Sequence, residues 1–333
     1  MKILVIRFSS IGDILLTTPV LRCVAQQIPQ AELHFATKVS YALLVDRSPY
    51  VTRVHGLNAD FPAFISGLKK EKFDLILDLH GSLRSLRVCY LLGSRVLRYR
   101  KQNLRKWIIV HLKRRWSVSH VVERYLEACS PLGVRYDGQG LDFPLLDQEI
   151  EFTGHLFPES FSAGFLAVTA GARHFTKALP PDKLAEILNE IGMPVALLGG
   201  VAEEKTGAQV LRLLSVPAVN LCGRLSLGMS AAVLWRARAV LAHDTGLMHM
   251  AAALRKPMVV VWGSTTPALG MYPLYPEGEQ NKVAYAQIEE LSCRPCSRMG
   301  RSRCPKGHFA CMRHQSPALI RRLLMEKTTL SAP

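Results

Sequence analysis

The stretch RFSSIGDILLTTP (Arg7–Pro19) follows directly on the apolar run KILVI and places a carboxylate, Asp13, at the mouth of the next helix. The position just past the carboxyl end of a buried strand is where α/β proteins assemble their sites. An aspartate there has two compatible readings. It caps a helix, a position aspartate favours, or it acts as a general base on a nucleophile. A second constellation, DTGLMHMAAAL (Asp244–Leu254), follows the strand-like RAVLAH. Asp-Thr-Gly opening a helix offers free backbone N–H groups and the positive end of the helix dipole, which suit a diphosphate. Gly246 lets a ligand approach the backbone, and His249, four residues after Thr245, falls on the same face one turn on. Asp244 reads as a cap or as an acceptor for sugar hydroxyls, because a carboxylate repels an anion.

These residues need a scaffold, and the hydrophobic pattern supplies one. KILVIRF, AELHFAT, VTRVHGL, FDLILDL and SRVLRYR read as strands separated by amphipathic or turn-rich segments, an alternation that implies a parallel, doubly wound sheet. Pro19 either kinks a helix begun near Asp13 or sits in the first turn of a helix capped by Thr18. The turn-rich VRYDGQGLDFPLLDQE (Val134–Glu149) reads as a linker. The alternation then restarts with FLAVTAG, PVALLGG, RAVLAHD and PMVVVWG as strands and PPDKLAEILNEIG as a helix. The expectation is an α/β protein of two tandem Rossmann-like domains facing across a cleft, over residues 1–150 and 151–315. An amphipathic helix over 316–333 would fold back on the first domain.

The 333 residues carry a formal charge of +16. Between Leu79 and Val122 there is no acid but there are eleven Lys or Arg, and a second acid-free stretch runs from Leu291 to Met325. Clustered cations suit a polyanion: nucleic acid, an anionic membrane surface or a phosphorylated substrate. A solvated basic face is the plainer reading. No apolar run reaches the length of a membrane span, and Arg7 and Asp13 interrupt any signal-peptide pattern, so a cytoplasmic protein is expected. A nicotinamide site is the first guess for a Rossmann pattern, but it fails. Gly12 is the one glycine after the first strand where three are needed, and no acid ends ELHFATK to hold a ribose.

RFSSIGDILLTTP, LILDLHGSLRS, GARHFTKALPPDK and HDTGLMHMAAAL, in this order, resemble the ADP-heptose:lipopolysaccharide heptosyltransferases, glycosyltransferase family nine, with the GT-B fold. The resemblance runs from Met1 to about Leu324 and is most specific in the S-x-G-D turn and the D-T-G-x-x-H-x-A-A element. It implies an acceptor-binding first domain and a sugar-nucleotide-binding second domain, with inverting, metal-independent heptose transfer to the inner core of lipopolysaccharide. It makes Asp13 the base and Lys177 a phosphate ligand. Thr169, Thr176, Glu203, Leu225, Asp244, Thr245, Gly246 and His249 become donor-binding residues. His174, where other members carry small or hydroxyl residues, puts the role of Thr176 in doubt. Ser10, Gly12, Arg84, Arg100, Arg105 and Arg124 are expected on the acceptor side, where arginine forks suit the carboxylates and phosphates of an anionic glycolipid. Peripheral attachment to the cytoplasmic face of the inner membrane follows, without nucleic acid as a partner and with no cofactor required.

Cys293, Cys296, Cys304 and Cys311, with His308 nearby, offer ligands for a structural zinc. Reduced thiols or a disulfide are the alternatives. The competing functions are a related transferase using another nucleotide sugar, a basic nucleic-acid-binding protein with a zinc-like cysteine cluster, and a non-catalytic sugar-nucleotide binder.

Overall fold

Every strand expected above is present in the computed structural model, which describes residues 1–329. The chain runs β1 (Lys2–Ile6), α1 (Ile11–Leu15), α2 (Thr18–Gln27), β2 (Glu32–Lys38), α3 (Leu43–Asp46), β3 (Arg53–Leu57), α4 (Phe61–Glu71), β4 (Leu75–Asp78), α5 (Leu83–Leu92) and β5 (Arg95–Arg98). It continues through α6 (Asn103–His111), α7 (Val121–Cys129), α8 (Asp147–Gly154), β6 (Leu166–Thr169), α9 (Pro181–Ile191), β7 (Val195–Leu198), α10 (Glu204–Leu213) and β8 (Ala218–Asn220). The last part is α11 (Leu227–Arg236), β9 (Ala239–His243), α12 (Gly246–Ala253), β10 (Met258–Trp262), β11 (Val283–Gln287), α13 (Ala310–Arg313) and α14 (Pro317–Thr329).

Contacts divide the chain into two units, Met1–Gln102 with Ser119–Pro144, and Asn103–Val118 with the chain from Leu145 on. The first holds a parallel sheet in the order β3-β2-β1-β4-β5. The second holds a parallel sheet in the order β11-β10-β9-β6-β7-β8. Central strands such as β1 and β9 are buried along most of their length, which is why they read as unbroken apolar runs rather than alternations. In each sheet the strand order reverses at one place: between β1 and β4, and between β6 and β9. The crevice outside the carboxyl ends at such a reversal is where open α/β sheets bind ligands.

Pro19 follows the second of its two readings, shifted by one residue. α1 stops at Leu15, Thr17 is the N-terminal flanking residue of α2, and Pro19 lies in its first turn. The turn-rich passage is firmly tied to the first unit up to Pro144. The Arg22 guanidinium on α2 bridges Asp137 at 2.6 Å, Asp142, and the Gly140 carbonyl at 2.9 Å.

Two placements differ from expectation. Residues 103–118, expected within the first domain, pack with the second unit. Val118 N–H donates to the Ala268 carbonyl at 3.0 Å, Lys113 Nζ donates to the carbonyls of Cys293 and Pro295, and Ile109, Val110, Val118 and Leu269 form a small core. The helix expected to return to the first domain instead stays on the second. α14 packs on α9 and over β9, β10 and β11, burying Ile320 and Leu324 in that unit's core. Its two apolar residues at i and i+4 found a nearby sheet face, and the pattern carries no information about which sheet that is. Residues 330–333 of the expected segment lie outside the described residues.

Candidate active site

The loops that leave β1, β4 and β5 at their carboxyl ends build a charged site in the first unit. Arg7, the first residue past β1, is buried, and its guanidinium is fully committed. It donates to the carbonyls of Ser9 at 2.9 Å and Leu79 at 2.7 Å, and meets Asp13 Oδ1 at 2.6 Å. Asp13 Oδ2 accepts the Ser10 N–H at 3.2 Å and the Ser10 hydroxyl at 2.9 Å. Asp13 thus closes a capping box on Ser10, with Gly12 buried inside the same turn. Both readings of this residue meet in one geometry. A carboxylate has about four lone-pair directions, the three contacts leave one, and the side chain is 23% exposed. Burial pushes the Asp13 carboxyl up, but the Arg7 charge and the Ser10 hydrogen bonds outweigh it, so the net shift is below the ordinary aspartate range. Asp13 is therefore anionic at neutral pH.

The neighbouring loop is held by Asp78 at the end of β4. Its carboxylate accepts the N–H groups of His80 and Gly81 at 3.1 and 2.8 Å, the Ser85 hydroxyl at 3.1 Å and Arg98 Nε at 2.7 Å. Gly81 has φ +60°, and a Cβ there would stand 2.8 Å from Lys101 Cε, whose ammonium donates to the Gly81 carbonyl at 2.6 Å. Burial and the Arg7 charge push His80 down to about 4, so it faces the site as a neutral imidazole.

Four arginines were expected on the acceptor side. Arg84 at the start of α5 and Arg100 just past β5 are exposed in the first unit. Arg105 is exposed on α6, which belongs to the second unit. Arg124 is 1% exposed and donates to the carbonyls of Ser119 at 3.2 Å, Lys101 at 3.0 Å and Arg100 at 3.4 Å. That geometry braces the β5–α6 loop rather than offering a fork to a ligand. Arg124→Ala is expected to cost about 1–3 kcal/mol of stability by orphaning those carbonyls. Arg84→Ala and Arg100→Ala should leave the melting temperature unchanged and raise the acceptor KM with donor affinity intact. Thermal melts beside acceptor titrations check the contrast.

In the second unit the expected donor residues gather at the carboxyl ends of β6 and β9. Lys177 Nζ meets Asp244 Oδ2 at 2.8 Å, and the Thr265 hydroxyl donates to the same oxygen at 2.8 Å. Asp244 Oδ1 stays available to a hydroxyl. Thr245 is the N-terminal flanking residue of α12, Gly246 starts the helix, and His249 is buried one turn in. The Thr245 hydroxyl oxygen is buried with no hydrogen-bond partner among the described residues. Lysine, helix start and hydroxyl together form an anion site.

Thr169 and Thr176 serve this site from below. Both are 1% exposed. Leu179 N–H donates to His243 Nε2 at 3.1 Å, so Nδ1 carries the proton and donates to Thr169 Oγ1 at 3.2 Å, joining β9 to β6. Burial pushes His243 down to about 4, keeping it neutral. Thr176 Oγ1 accepts the Arg301 N–H at 2.8 Å and pairs with the Ser264 hydroxyl at 2.9 Å. These are positioning contacts and not ligand contacts. Glu203 folds its carboxylate onto the Gly200 N–H at 2.8 Å and lies against Gly171 and Gly199, where an added Cβ would come within 2.7 Å of it. Leu225 lines a separate groove of about 390 Å³ with Phe152, Leu156 and Leu221.

The cysteine-rich segment braces the same loops. Arg294 donates to the carbonyls of Gly263 and Thr265 at 2.6 and 3.0 Å, and Cys296 N–H to the Ser264 carbonyl at 3.1 Å. Gly300, at φ +103°, passes so close that a Cβ would stand 2.9 Å from Lys177 Cδ. Cys293, Cys296, Cys304 and Cys311 are free thiols. Among the described residues no three of their sulfurs lie within 4.8 Å of one another, although Cys293 Sγ lies 3.9 Å from His308 Nε2. The zinc reading of this cluster finds no assembled ligand set.

Sequence reasoning missed Arg7, His243, Thr265 and Arg294. Arg7 and His243 each left a signal: a lone polar or charged residue at the end of an apolar strand has to find a buried partner.

The two reversal points thus carry an anionic, partly exposed carboxylate in one unit and a lysine beside a helix start in the other. Residues 62–302 match the family model for glycosyltransferase family 9 (heptosyltransferase). The chain belongs to glycosyltransferase family 9. It is 30% identical to lipopolysaccharide heptosyltransferase 1 of Pseudomonas aeruginosa, over 89% of this chain and 86% of that one. Among solved structures, Escherichia coli ADP-heptose lps heptosyltransferase II superposes with a TM-score of 0.75 at 20% identity, covering 99% of both chains. E. coli heptosyltransferase WaaC with ADP gives 0.67 at 21% identity, over 98% and 100%. The fold is the tandem Rossmann, GT-B arrangement expected from the sequence.

Proposed function

We infer that this family 9 chain transfers a heptose from ADP-heptose to the inner core of lipopolysaccharide, by a single inverting displacement without a catalytic metal. The observation that carries the mechanism is the pairing of chemistry with position. An anionic, partly exposed Asp13 stands at one reversal point, and Lys177, the Thr245 hydroxyl and the start of α12 stand at the other. Asp13 accepts the proton of the acceptor hydroxyl as that oxygen attacks the anomeric carbon. The bond from that carbon to the diphosphate breaks, and Lys177 and the helix start stabilise the charge gathering on the departing ADP. Asp244, its Oδ2 neutralised by Lys177 and Thr265, offers Oδ1 to a sugar hydroxyl. A panel of nucleotide sugars tests the donor. ADP-heptose should give the highest kcat/KM, and preference for another sugar would contradict the reading.

In this reading Lys177 and the start of α12 neutralise the diphosphate in place of a bridging metal. Activity is therefore expected to survive exhaustive EDTA treatment within about threefold, since a catalytic divalent ion supplies several kcal/mol. An enzyme that dies in EDTA and recovers on magnesium would contradict this.

An anionic glycolipid acceptor brings the protein to a membrane surface, and the segment around α6 supports that reading. Leu104, Trp107, Leu112 and Trp116 are exposed large apolar residues, interspersed with exposed Arg105, Arg114 and Arg115. Basic residues beside exposed tryptophans suit the interface of an anionic bilayer. Among the described residues no helix is long and apolar enough to cross a membrane. Co-sedimentation with vesicles containing phosphatidylglycerol should fall with added salt and fall further in Trp107→Ala/Trp116→Ala. Equal binding to neutral vesicles would contradict it.

A further inference from the structure

The amino end of the first unit's sheet holds titratable groups that the transfer reaction does not use. His34 on β2 pairs in register with Arg53 of β3, so His55, two residues further along β3, shares a face with it. His34 Nδ1 lies 2.8 Å from His55 Nε2, and His34 Nε2 lies 2.8 Å from Glu32 Oε1. Glu71, at the end of α4, completes the group: one ring nitrogen each of His34 and His55 and a Glu71 carboxylate oxygen all lie within 4.8 Å of one another. No other three metal-ligating side chains converge this closely among the described residues.

The protonation pattern follows from the contacts. When the His34 ring is neutral and Glu32 accepts its Nε2–H, Nδ1 of that ring has its lone pair directed at His55. His55 Nε2 must then supply the one proton between the two rings. A carboxylate holding one imidazole nitrogen so that the other presents its lone pair is the arrangement that orients histidine ligands on metals. Phe73 meets both rings edge-on, with centroids 5.2 Å from His34 and 6.0 Å from His55, and fixes their planes. His34 is 2% exposed, and burial pushes His55 down to about 4, so the His55 ring is a neutral donor. Lys2 and Arg53 already contact Glu71, at 3.2 and 2.7 Å. A carboxylate has lone pairs beyond those two contacts.

We propose that His34, His55 and Glu71 form a binding site for a divalent transition-metal ion of the zinc class, with Glu32 orienting His34. Two imidazoles and one carboxylate suit zinc and disfavour magnesium or calcium, which take oxygen ligands. On metal binding the proton between the rings moves to His55 Nδ1, so that both imidazoles ligate as neutral rings and the metal ties β2, β3 and α4 together. The site lies at the end of the sheet opposite Asp13, so its role is structural, and its occupancy leaves kcat unchanged.

Chelator-stripped full-length protein titrated with zinc chloride by calorimetry tests this. A Cys293→Ser/Cys304→Ser background removes thiols that would compete for zinc. One zinc per chain should bind in that background, with a rise in melting temperature, while magnesium chloride gives neither. Glu71→Gln, which keeps the shape and one acceptor oxygen of the two that Lys2 and Arg53 contact, should weaken zinc at least about tenfold, and Glu32→Gln about 10–100-fold. His55→Ala should abolish binding. Zinc binding that is absent from the Cys293→Ser/Cys304→Ser background, or unchanged in both Glu71→Gln and His55→Ala, would overturn the proposal.

Discussion

Asp13→Asn is expected to lower kcat by about 10²–10⁴-fold, the usual worth of general-base assistance, while ADP affinity by calorimetry stays at its wild-type value. The amide keeps the shape and one acceptor for Arg7, so the loop survives. What it loses is the anionic oxygen that takes the acceptor's proton. The wild-type kcat should show no acid limb from Asp13 above about pH 4, the ordinary aspartate value, because the net shift of this carboxyl is downward. The same sign governs stability. The Asp13–Arg7 contact contributes fully above the unfolded carboxyl's pKa and is lost as pH falls through the lower folded value. A variant that retains more than half of wild-type turnover would leave Asp13 a capping residue alone.

Lys177→Ala should act on both binding and chemistry. Truncating one partner of a hydrogen-bonded charge pair costs about 2–5 kcal/mol, so Kd for ADP should rise at least about tenfold. The fall in kcat/KM should exceed that rise, because more negative charge develops on the diphosphate as the bond breaks. The structure adds a reason for severity. Without Lys177, the Asp244 carboxylate beside the cradle keeps only the Thr265 hydroxyl on the oxygen that both now share. The double variant Lys177→Ala/Asp244→Asn should accordingly regain part of the ADP affinity without regaining turnover. Unaltered ADP affinity in Lys177→Ala would move the phosphate site elsewhere.

Much of this architecture was legible because parallel strands buried on both faces announce themselves as apolar runs, and the site residues follow those runs directly. KILVI and RAVLAH are strands, and the residues after them are the ones that gather at the two reversal points. Less visible were β8, only three residues long, and β11, half-buried, where the apolar signal is diluted. The placement of 103–118 was not readable either. Its cations suggested a ligand, whereas its docking rests on Ile109, Val110 and Val118 and on backbone contacts such as Val118 to Ala268. Thr169 and Thr176 stood in the right segments with the wrong orientation. Local pattern places a residue on a loop, but the hydrogen bonds that turn its hydroxyl inward come from residues 74 and 125 positions away, His243 and Arg301. The same distance in sequence hid Arg294, whose cation holds the loop that presents Thr265.

The most direct test is the stereochemistry of one turnover. Purified enzyme is incubated with ADP-heptose and a heptose-free inner-core acceptor, and the new linkage is read by NMR. A heptosyl product whose anomeric configuration is opposite to that of the donor, formed about 10²–10⁴-fold more slowly with Asp13→Asn, is the predicted result. Retention of the donor's configuration, or transfer undiminished in Asp13→Asn, would contradict the single displacement on which the account rests.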